Sequence, residues 1–218
     1  KINDKIKFSS EFLKNTNFLF LTLGTAWIYN LKSNGRTVAN CHKIPAKEFD
    51  KKLLAIDDIQ KIYTELITKL QNLNRKIRII LIVSPVRHWR DGAIENQLSK
   101  SILIVAVNKL VKEFENVSYF PSYEIMMDDL RDYRFYSDDM LHPSQTAINY
   151  IWEKISETYF SDETKYLISE IESLIKAKSH RPFNSNSESY LKFIGTHNQK
   201  IEFLQKKFDF QNIDKLKI

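Results

Sequence analysis

The stretch KIRIILIVSP, residues 76–85, decides the fold class. Its uninterrupted run of Ile, Leu and Val indicates a strand buried on both faces, as the central strands of parallel sheets are. Pro85 has no backbone N–H and therefore ends the strand. Two similar apolar runs, NFLFLTLGT at residues 17–25 and VSYF at residues 117–120, predict further strands of the same sheet.

Helical periodicity fills the intervals between these strands. Residues 94–116 predict a long apolar helix, and a third helix follows Ser144, a residue suited to capping it. Residues 56–74 predict a helix with one apolar face, made of Ile59, Ile62, Tyr63, Leu66, Ile67 and Leu70. The predicted buried stripe of the third helix is Ile148, Ile151, Trp152, Ile155 and Tyr159. Because strands alternate with helices, the sequence predicts an α/β domain with a parallel sheet between helices.

The chain changes character after about residue 160. Two amphipathic segments, DETKYLISEIESLIKAKSH and YLKFIGTHNQKIEFLQKKF, flank the polar stretch RPFNSNSES. We therefore expect an α/β domain over residues 1–160 and a helical C-terminal hairpin over residues 161–218. This hairpin is a candidate lid or a dimer surface of a homo-oligomer.

The composition is that of a globular protein, with 43% hydrophobic residues. The net charge of +6 arises from 33 Lys and Arg against 27 Asp and Glu. These charges are interleaved along the chain, whereas a nucleic-acid-binding domain usually concentrates its basic residues on one face. We therefore expect a solvated basic surface and no nucleic-acid partner.

The cysteine content and the apolar runs indicate where in the cell the protein is expected. Cys41 is the single cysteine, which excludes an intramolecular disulfide and a thiolate metal cluster. The first residues, KINDKIKFSSEFLK, lack the apolar core of a signal peptide, and no apolar run is long enough to span a membrane. These features favour a cytoplasmic protein without a membrane span.

Several enzyme classes are disfavoured because their motifs are missing. The sequence contains no GxxxxGKS/T phosphate loop, no GxGxxG dinucleotide loop, no HExxH zinc helix, no GxSxG nucleophile turn and no CxxC pair. We predict neither a metal centre nor a cofactor.

Asp139 and His142 form the most suggestive pair in the chain. They stand three residues apart in the loop between the third strand and the helix after Ser144. A carboxylate that holds one ring nitrogen of a histidine fixes its tautomer and makes it a useful general base. From the spacing alone, a charged surface loop without a catalytic role is the more common explanation.

Three further segments carry candidate residues. Arg87 and His88 follow the strand at residues 76–85 and suit an anionic or polar substrate, although a turn shaped by its neighbouring Pro and Gly explains them equally well. Asn40 is a candidate oxyanion donor. The stretch around Arg134 mixes acids, arginines and aromatics, and its simplest explanation is an ion-paired structural loop. Arg134 is the exception, which we expect to line the pocket with Arg87 and His88.

Taken together, the longer motifs resemble the GSCFA domain family of bacterial proteins. The matching segments occur in the family's order and cover nearly the whole chain: TLGTAWIY, NCHKIPAKEF, SPVRHWRDGAIENQLSK, YFPSYEIMMDDLRDYRFYSDDMLHPS and HRPF. This family is placed among the SGNH/GDSL-type hydrolases. The resemblance therefore implies a three-layer α/β/α, flavodoxin-like fold and a Ser-His-Asp triad for ester hydrolysis or acyl transfer. In that superfamily an Asp precedes the catalytic His by three residues, a spacing that Asp139 and His142 match.

The sequence departs from the family pattern in two places. The Gly-Ser-Cys-Phe-Ala stretch that names the family, with its candidate nucleophilic Ser, is absent. The resemblance then implies a chain that starts downstream of its nucleophile strand and exposes an apolar sheet edge. The superfamily's Gly-x-Asn-Asp block matches Gly24-Thr25-Ala26-Trp27 here, so its oxyanion Asn is missing. A backbone N–H near Gly24, or Asn40, is the expected substitute.

Two classes of function follow. The first is an SGNH-type serine hydrolase in which an upstream Ser, His142 and Asp139 act on an ester, with a small molecule or an acylated carbohydrate as substrate. O-acyl transfer uses the same residues. The second is a module of the same fold that binds a glycan or a protein without turning it over.

Overall fold

The structure is a computed structural model that describes residues 2–39, 41, 43–179, 187–208 and 213–217. The chain divides into two compact units, residues 1–153 and 154–218. The boundary drawn from the sequence after residue 160 stays a prediction.

The described residues form six strands and seven α-helices. The strands are β1 (Phe18–Leu23), β2 (Trp27–Leu31), β3 (Thr37–Val38), β4 (Phe49–Leu53), β5 (Arg78–Val83) and β6 (Val117–Phe120). The helices are α1 (Ile2–Lys14), α2 (Ile56–Leu73), α3 (Ala93–Glu113), α4 (Ser122–Glu124), α5 (Gln145–Tyr159), α6 (Asp162–Ser179) and α7 (Glu188–Phe208). None of the described helices combines the length and the apolarity needed to cross a bilayer.

The three predicted strands form one parallel sheet in the order β1-β5-β6. Phe18 pairs with Arg78 at the start of β1, and Ile79 pairs with Val117 at the start of β6. The helices α2 and α3 follow in the connections between these strands. The prediction of an α/β fold with a parallel sheet and a helical C-terminal hairpin is confirmed.

The central strand β5 is buried from Ile79 to Val83, as its apolar sequence predicted. Alternate residues point to opposite faces of a sheet. Ile79, Leu81 and Val83 join the core formed with α2 and α3, and Ile80 and Ile82 are buried on the other face. The strand is therefore covered on both faces, as in an α/β/α sandwich.

A second sheet lies between β1 and α2 in sequence and was not predicted. Its antiparallel strands are ordered β3-β2-β4, and every residue of β2 is half-buried. The sequences WIYNL, TV and FDKKL are short and mix polar with apolar residues, so no clear strand pattern stands out. The helix α1 was also missed.

One face of β1 is partly exposed. Phe18 and Phe20 are 45% and 38% exposed, although Leu19, Leu21 and Leu23 on the opposite face pack against the core. The helix α1 has no buried residue and exposes four large apolar side chains, Ile2, Ile6, Phe8 and Phe12. The face of β1 that carries Phe18 and Phe20, at the edge of the sheet, therefore presents apolar surface.

The burial stripes of two helices are narrower than the sequence predicted. Ile62 and Leu66 of α2 are exposed, whereas Ile59 and Ile67 are buried. Among the described residues β1 is an edge strand of the sheet, so no further strand lies beyond it for the flank of α2 to cover. In α5 the prediction that Ile148 and Trp152 are buried is wrong, since both are exposed. The buried residues are Ala147 and Ile151, one turn apart.

The C-terminal unit has a small core of its own. Leu174 from α6 packs with Ile201 and Leu204 from α7 and with Ile213. His197 is 5% exposed, and its Nε2 lies 2.9 Å from the carbonyl oxygen of Leu216. The polar stretch at residues 180–186 lies outside the described residues.

Candidate active site

Asp139 and His142 are in direct contact. The distance between Oδ2 of Asp139 and Nδ1 of His142 is 2.6 Å. Oδ1 of the same carboxylate accepts the backbone N–H groups of Leu141 (2.9 Å) and His142 (3.0 Å). A carboxylate at Nδ1 favours the tautomer whose other ring nitrogen, Nε2, accepts a proton.

The loop that carries this pair is closed by backbone hydrogen bonds. Ser137 N–H donates to the carbonyl of His142 at 2.8 Å, and Ser144 N–H donates to that of Phe135 at 2.8 Å. Met140 takes a left-handed conformation, φ 59°, at the tip between the two catalytic candidates. The loop ends at Ser144, whose hydroxyl and carbonyl accept from the first turn of α5. These bonds hold Asp139 and His142 in one geometry.

The two backbone donors on Asp139 have an electrostatic consequence. The N–H groups of His142 and Leu141, and then the His142 side chain, lower the pKa of the Asp139 carboxyl to about 2. Hydrogen bonds to the charged form of an acid favour that form. Asp139 is therefore an anion throughout the neutral range and can stabilise a positive charge on His142.

The carboxyl ends of β1 and β5 meet at a buried lysine. Nζ of Lys100, on α3, donates to the carbonyl oxygens of Gly24 and Ser84 at 2.7 Å each. The residue is fully buried, at 0% exposure, and the described residues offer its ammonium no carboxylate within ion-pair distance. Burial lowers the pKa of Lys100 to about 8.

His88 packs against the same strand end. A Cβ placed on Gly24 would lie 3.3 Å from Nε2 of His88, so a side chain at residue 24 would press on the ring. The backbone N–H of His88 donates to Oδ1 of the buried Asn96 at 2.9 Å. Burial, and then the charge of Lys100, lower the pKa of His88, which favours the neutral ring.

Ser99 fixes the turn after β1. Its hydroxyl accepts the backbone N–H of Ala26 at 2.7 Å and lies 3.0 Å from the hydroxyl of Thr25. The Thr25 hydroxyl in turn accepts the N–H of Trp27 at 3.1 Å. Two backbone donors of this turn are thus already engaged, which leaves the N–H groups of Gly24 and Thr25 as its candidates for binding an oxyanion.

Arg87 and Arg134, both predicted from the sequence to line the site, lie in different surroundings. The backbone N–H of Arg87 donates to the carbonyl of Leu141 at 3.3 Å, which ties the loop after β5 to the loop of His142. The side chain of Arg134 is 74% exposed, and its Nε lies 3.7 Å from Asp132.

A cavity of about 240 Å³ lies beside the loop of His142. Arg131 lines it and Arg134 does not; its wall consists of Arg87, Met126, Met127, Arg131, Asp132, Tyr133, Tyr136 and Met140. We refer to this space as the arginine cavity.

Two remaining expectations concern Asn40 and metal ions. Asn40 lies outside the described residues, so its predicted role stays a prediction. Among the residues that the structure describes, no three His, Cys, Asp or Glu side chains group as a metal site would require.

The sequence analysis missed the polar residues of α3. Asn96, Ser99 and Lys100 are buried together with Leu103 and Val107. They recur at the three- and four-residue spacing of one helix face. Because these polar residues are in register with a buried apolar stripe, the sequence pattern could have predicted that they are buried.

Two sequence profiles of known families match the chain. The sequence profile of the GSCFA family matches residues 1–155. That of the GSCFA domain protein, C-terminal domain, matches residues 171–216. Among proteins of curated function, none matches the chain. The first profile covers more than half of the chain, and the chain therefore belongs to the GSCFA family.

Proposed function

We propose that this chain is the larger part of a serine hydrolase of the SGNH type, which cleaves an ester or transfers its acyl group. The contact between Asp139 and His142 carries the proposal, because an ionised carboxylate at Nδ1 prepares Nε2 to act as a base. The position of the pair agrees with it. Functional loops of parallel sheets follow the carboxyl ends of the strands, and this loop lies downstream of β6.

The nucleophile is proposed to lie on a segment of the protein that precedes residue 1. Within the described residues, no serine hydroxyl is hydrogen-bonded to the ring of His142. Among the described residues β1 is an edge strand, so such a segment has an open edge to pair with, and the partly exposed Phe18 and Phe20 give it apolar surface to cover. We use "extended protein" for the chain that includes this segment.

The proposed reaction has two halves. In the first, the serine Oγ attacks the ester carbonyl while Nε2 of His142 takes its proton. The tetrahedral intermediate then collapses, the acyl–oxygen bond breaks, and the leaving alcohol takes that proton from His142. In the second half, water (or an acceptor hydroxyl in acyl transfer) loses a proton to His142 and attacks the acyl-serine. The acyl–serine bond then breaks, and the serine Oγ takes the proton back from His142.

Three features of the site support this reaction. Asp139 stays anionic and stabilises the imidazolium that forms at His142. The N–H groups of Gly24 and Thr25 are proposed as donors to the oxyanion. The neutral ring of His88, packed against Gly24, limits the space beside them.

The kinetics of ester hydrolysis by the extended protein test this proposal. We expect hydrolysis of a p-nitrophenyl ester that is lost with His142→Ala. Asp138→Asn is a matched control, because Asp138 is exposed and adjacent to Asp139 in sequence. Equal rates for wild-type and His142→Ala proteins would overturn the proposal.

A binding module of the same fold is the second candidate. The arginine cavity favours it, since this cavity can recognise a ligand without any nucleophile. An extended protein that turns over no ester but binds a glycan equally well with and without His142→Ala would support this candidate and exclude the first.

A further inference from the structure

The arginine cavity adjoins the candidate active site through shared segments of the chain. Tyr136 forms a β-bridge with Pro143, and Met140 stands two residues before His142. The backbone of Arg87 is bonded to that of Leu141 at 3.3 Å. One loop therefore forms both a wall of the cavity and the support of His142.

Arg87 presents an unneutralised guanidinium to the cavity. Its guanidinium carbon lies 5.4 Å from the ring centroid of Tyr136, and one terminal nitrogen lies 3.6 Å from the sulfur of Met127. Among the described residues, no carboxylate lies within ion-pair distance of it. A guanidinium that stacks through its face keeps N–H donors at its edge, and a thioether is a weak acceptor.

Arg131 supplies a second guanidinium. Its Nε donates to the backbone carbonyl of Asp128 at 3.0 Å, and the described part of the chain gives it no ion-pair partner. The one acid of the cavity wall, Asp132, is engaged elsewhere. It accepts from the backbone N–H of Arg134 at 3.0 Å and lies 3.7 Å from Nε of that residue.

We propose that the arginine cavity binds a carboxylate on the substrate, attached to a single ring or a short chain. Guanidinium groups bind carboxylates through paired N–H donors, and tyrosine and methionine walls suit the carbon skeleton that carries the acid. At about 240 Å³ the cavity is smaller than the ~300–1,000 Å³ of pockets for drug-sized ligands, so it fits one such unit. Asp132 in the wall disfavours a doubly charged phosphate.

The connection of this subsite to a reaction rests on the proposed function. An acid held between Arg87 and Arg131 would lie next to the loop that carries His142. The carboxylate can belong to the acyl half, as in a half-ester of a diacid, or to the alcohol half, as in an acidic sugar. In both cases the guanidinium groups of Arg87 and Arg131 would bind the carboxylate.

Binding of small acids to this chain tests the inference without any catalysis. The probes are glucuronate and glutarate, each beside its neutral amide, glucuronamide or glutaramide. The readout is the NMR signal of the arginine Nε–H groups during titration at constant ionic strength. We expect saturable shifts of the Arg87 and Arg131 signals with an acid and none with its amide. Shifts with glutarate would place the carboxylate in the acyl half of the substrate, and shifts with glucuronate would place it in the alcohol half.

Matched variants complete the test. Arg131→Gln should weaken binding about 10-fold or more, because a hydrogen bond to a charged group is worth ~1.5–3 kcal/mol. Arg36→Gln should leave binding unchanged, because Arg36 is exposed and lies outside the cavity. Absence of saturation with both acids, equal binding of acid and amide, or an unchanged affinity in Arg131→Gln would overturn the inference.

The same experiments separate this inference from the proposed function. Ester hydrolysis that depends on His142, without binding of either acid, would overturn the subsite and leave the hydrolase. Acid binding in an extended protein that hydrolyses no ester would overturn the hydrolase and leave the subsite.

Discussion

The carboxylate of Asp139 holds His142 by both its ring and its backbone: Oδ2 lies 2.6 Å from Nδ1, and Oδ1 accepts the His142 N–H at 3.0 Å. Rotation of the carboxylate would break both bonds, so the ring orientation is fixed by a closed turn of four residues. This is the arrangement that a histidine base needs before its partner serine is in place.

Asp139→Asn tests the role of this carboxylate. An amide at residue 139 has no negative charge and removes the preference for the tautomer with a basic Nε2. We expect kcat for ester hydrolysis by the extended protein to fall by about 10³–10⁴-fold, with little change in KM. Asp138→Asn should keep the wild-type rate, and a similar loss in both variants would contradict a specific role for Asp139.

The lowered pKa of Asp139 predicts how stability depends on pH. The folded chain keeps this carboxyl ionised down to about pH 2, whereas in the unfolded chain it titrates near the ordinary value of about 3.9. The stabilisation is therefore present above pH 4 and is lost as the pH falls toward 2.

Urea unfolding measures this dependence. The difference in free energy of unfolding between wild-type protein and Asp139→Asn should decrease from pH 5 to pH 3. A difference that stays constant over this range would show that Asp139 has an ordinary pKa in the folded chain.

Lys100 predicts a second rise of stability with pH, in the alkaline range. Burial lowers its pKa to about 8, so between pH 8 and about 10.4 the unfolded chain binds more protons than the folded one. Its contribution to the free energy of unfolding should rise with pH by up to about 1.4 kcal/mol per unit in this window. Lys100→Met should remove that rise.

The control for this prediction is Lys112→Met on the same helix. Lys112 is exposed, so its loss should leave the pH dependence unchanged. Parallel stability curves for wild-type protein and Lys100→Met between pH 8 and pH 9.5 would contradict the assignment of a lowered pKa.

Gly24→Ala tests the packing of the site. The added Cβ would lie 3.3 Å from Nε2 of His88, so the ring must move by a few tenths of an ångström. We expect kcat/KM for ester hydrolysis by the extended protein to fall by more than the loss in free energy of unfolding accounts for. Gly195→Ala is the matched control, because nothing lies within 4 Å of its added Cβ. Within α7 it should stabilise the chain by about 0.5–1 kcal/mol.

Most of the parallel sheet could be predicted from the sequence, because the central strand β5 is buried and apolar and its neighbours β1 and β6 are also largely apolar. The strand predicted from KIRIILIVSP is β5, and the helices at residues 56–74 and 94–116 agree within a few residues with α2 and α3. The strands β2 to β4 escaped prediction, because half-buried strands of two to five residues carry no clear period.

In the site, too, contacts between residues close in sequence could be predicted, whereas contacts between distant residues could not. Asp139 and His142 interact over three residues, so their contact followed from local spacing. Lys100 meets Gly24 across 76 residues of sequence, a separation that only the order of the strands determines. The exposure of Ile148 and Trp152 likewise depends on which neighbours cover α5 and not on their own hydrophobicity.

The most direct test of the central claim is a fluorophosphonate probe, applied to this chain and to the extended protein, with the labelled serine mapped by mass spectrometry. We predict labelling of the extended protein alone, at the proposed nucleophilic serine that precedes residue 1, and loss of the label in His142→Ala. No labelling of either protein, or labelling that persists in His142→Ala, would contradict the assignment of His142 as the base of a serine hydrolase.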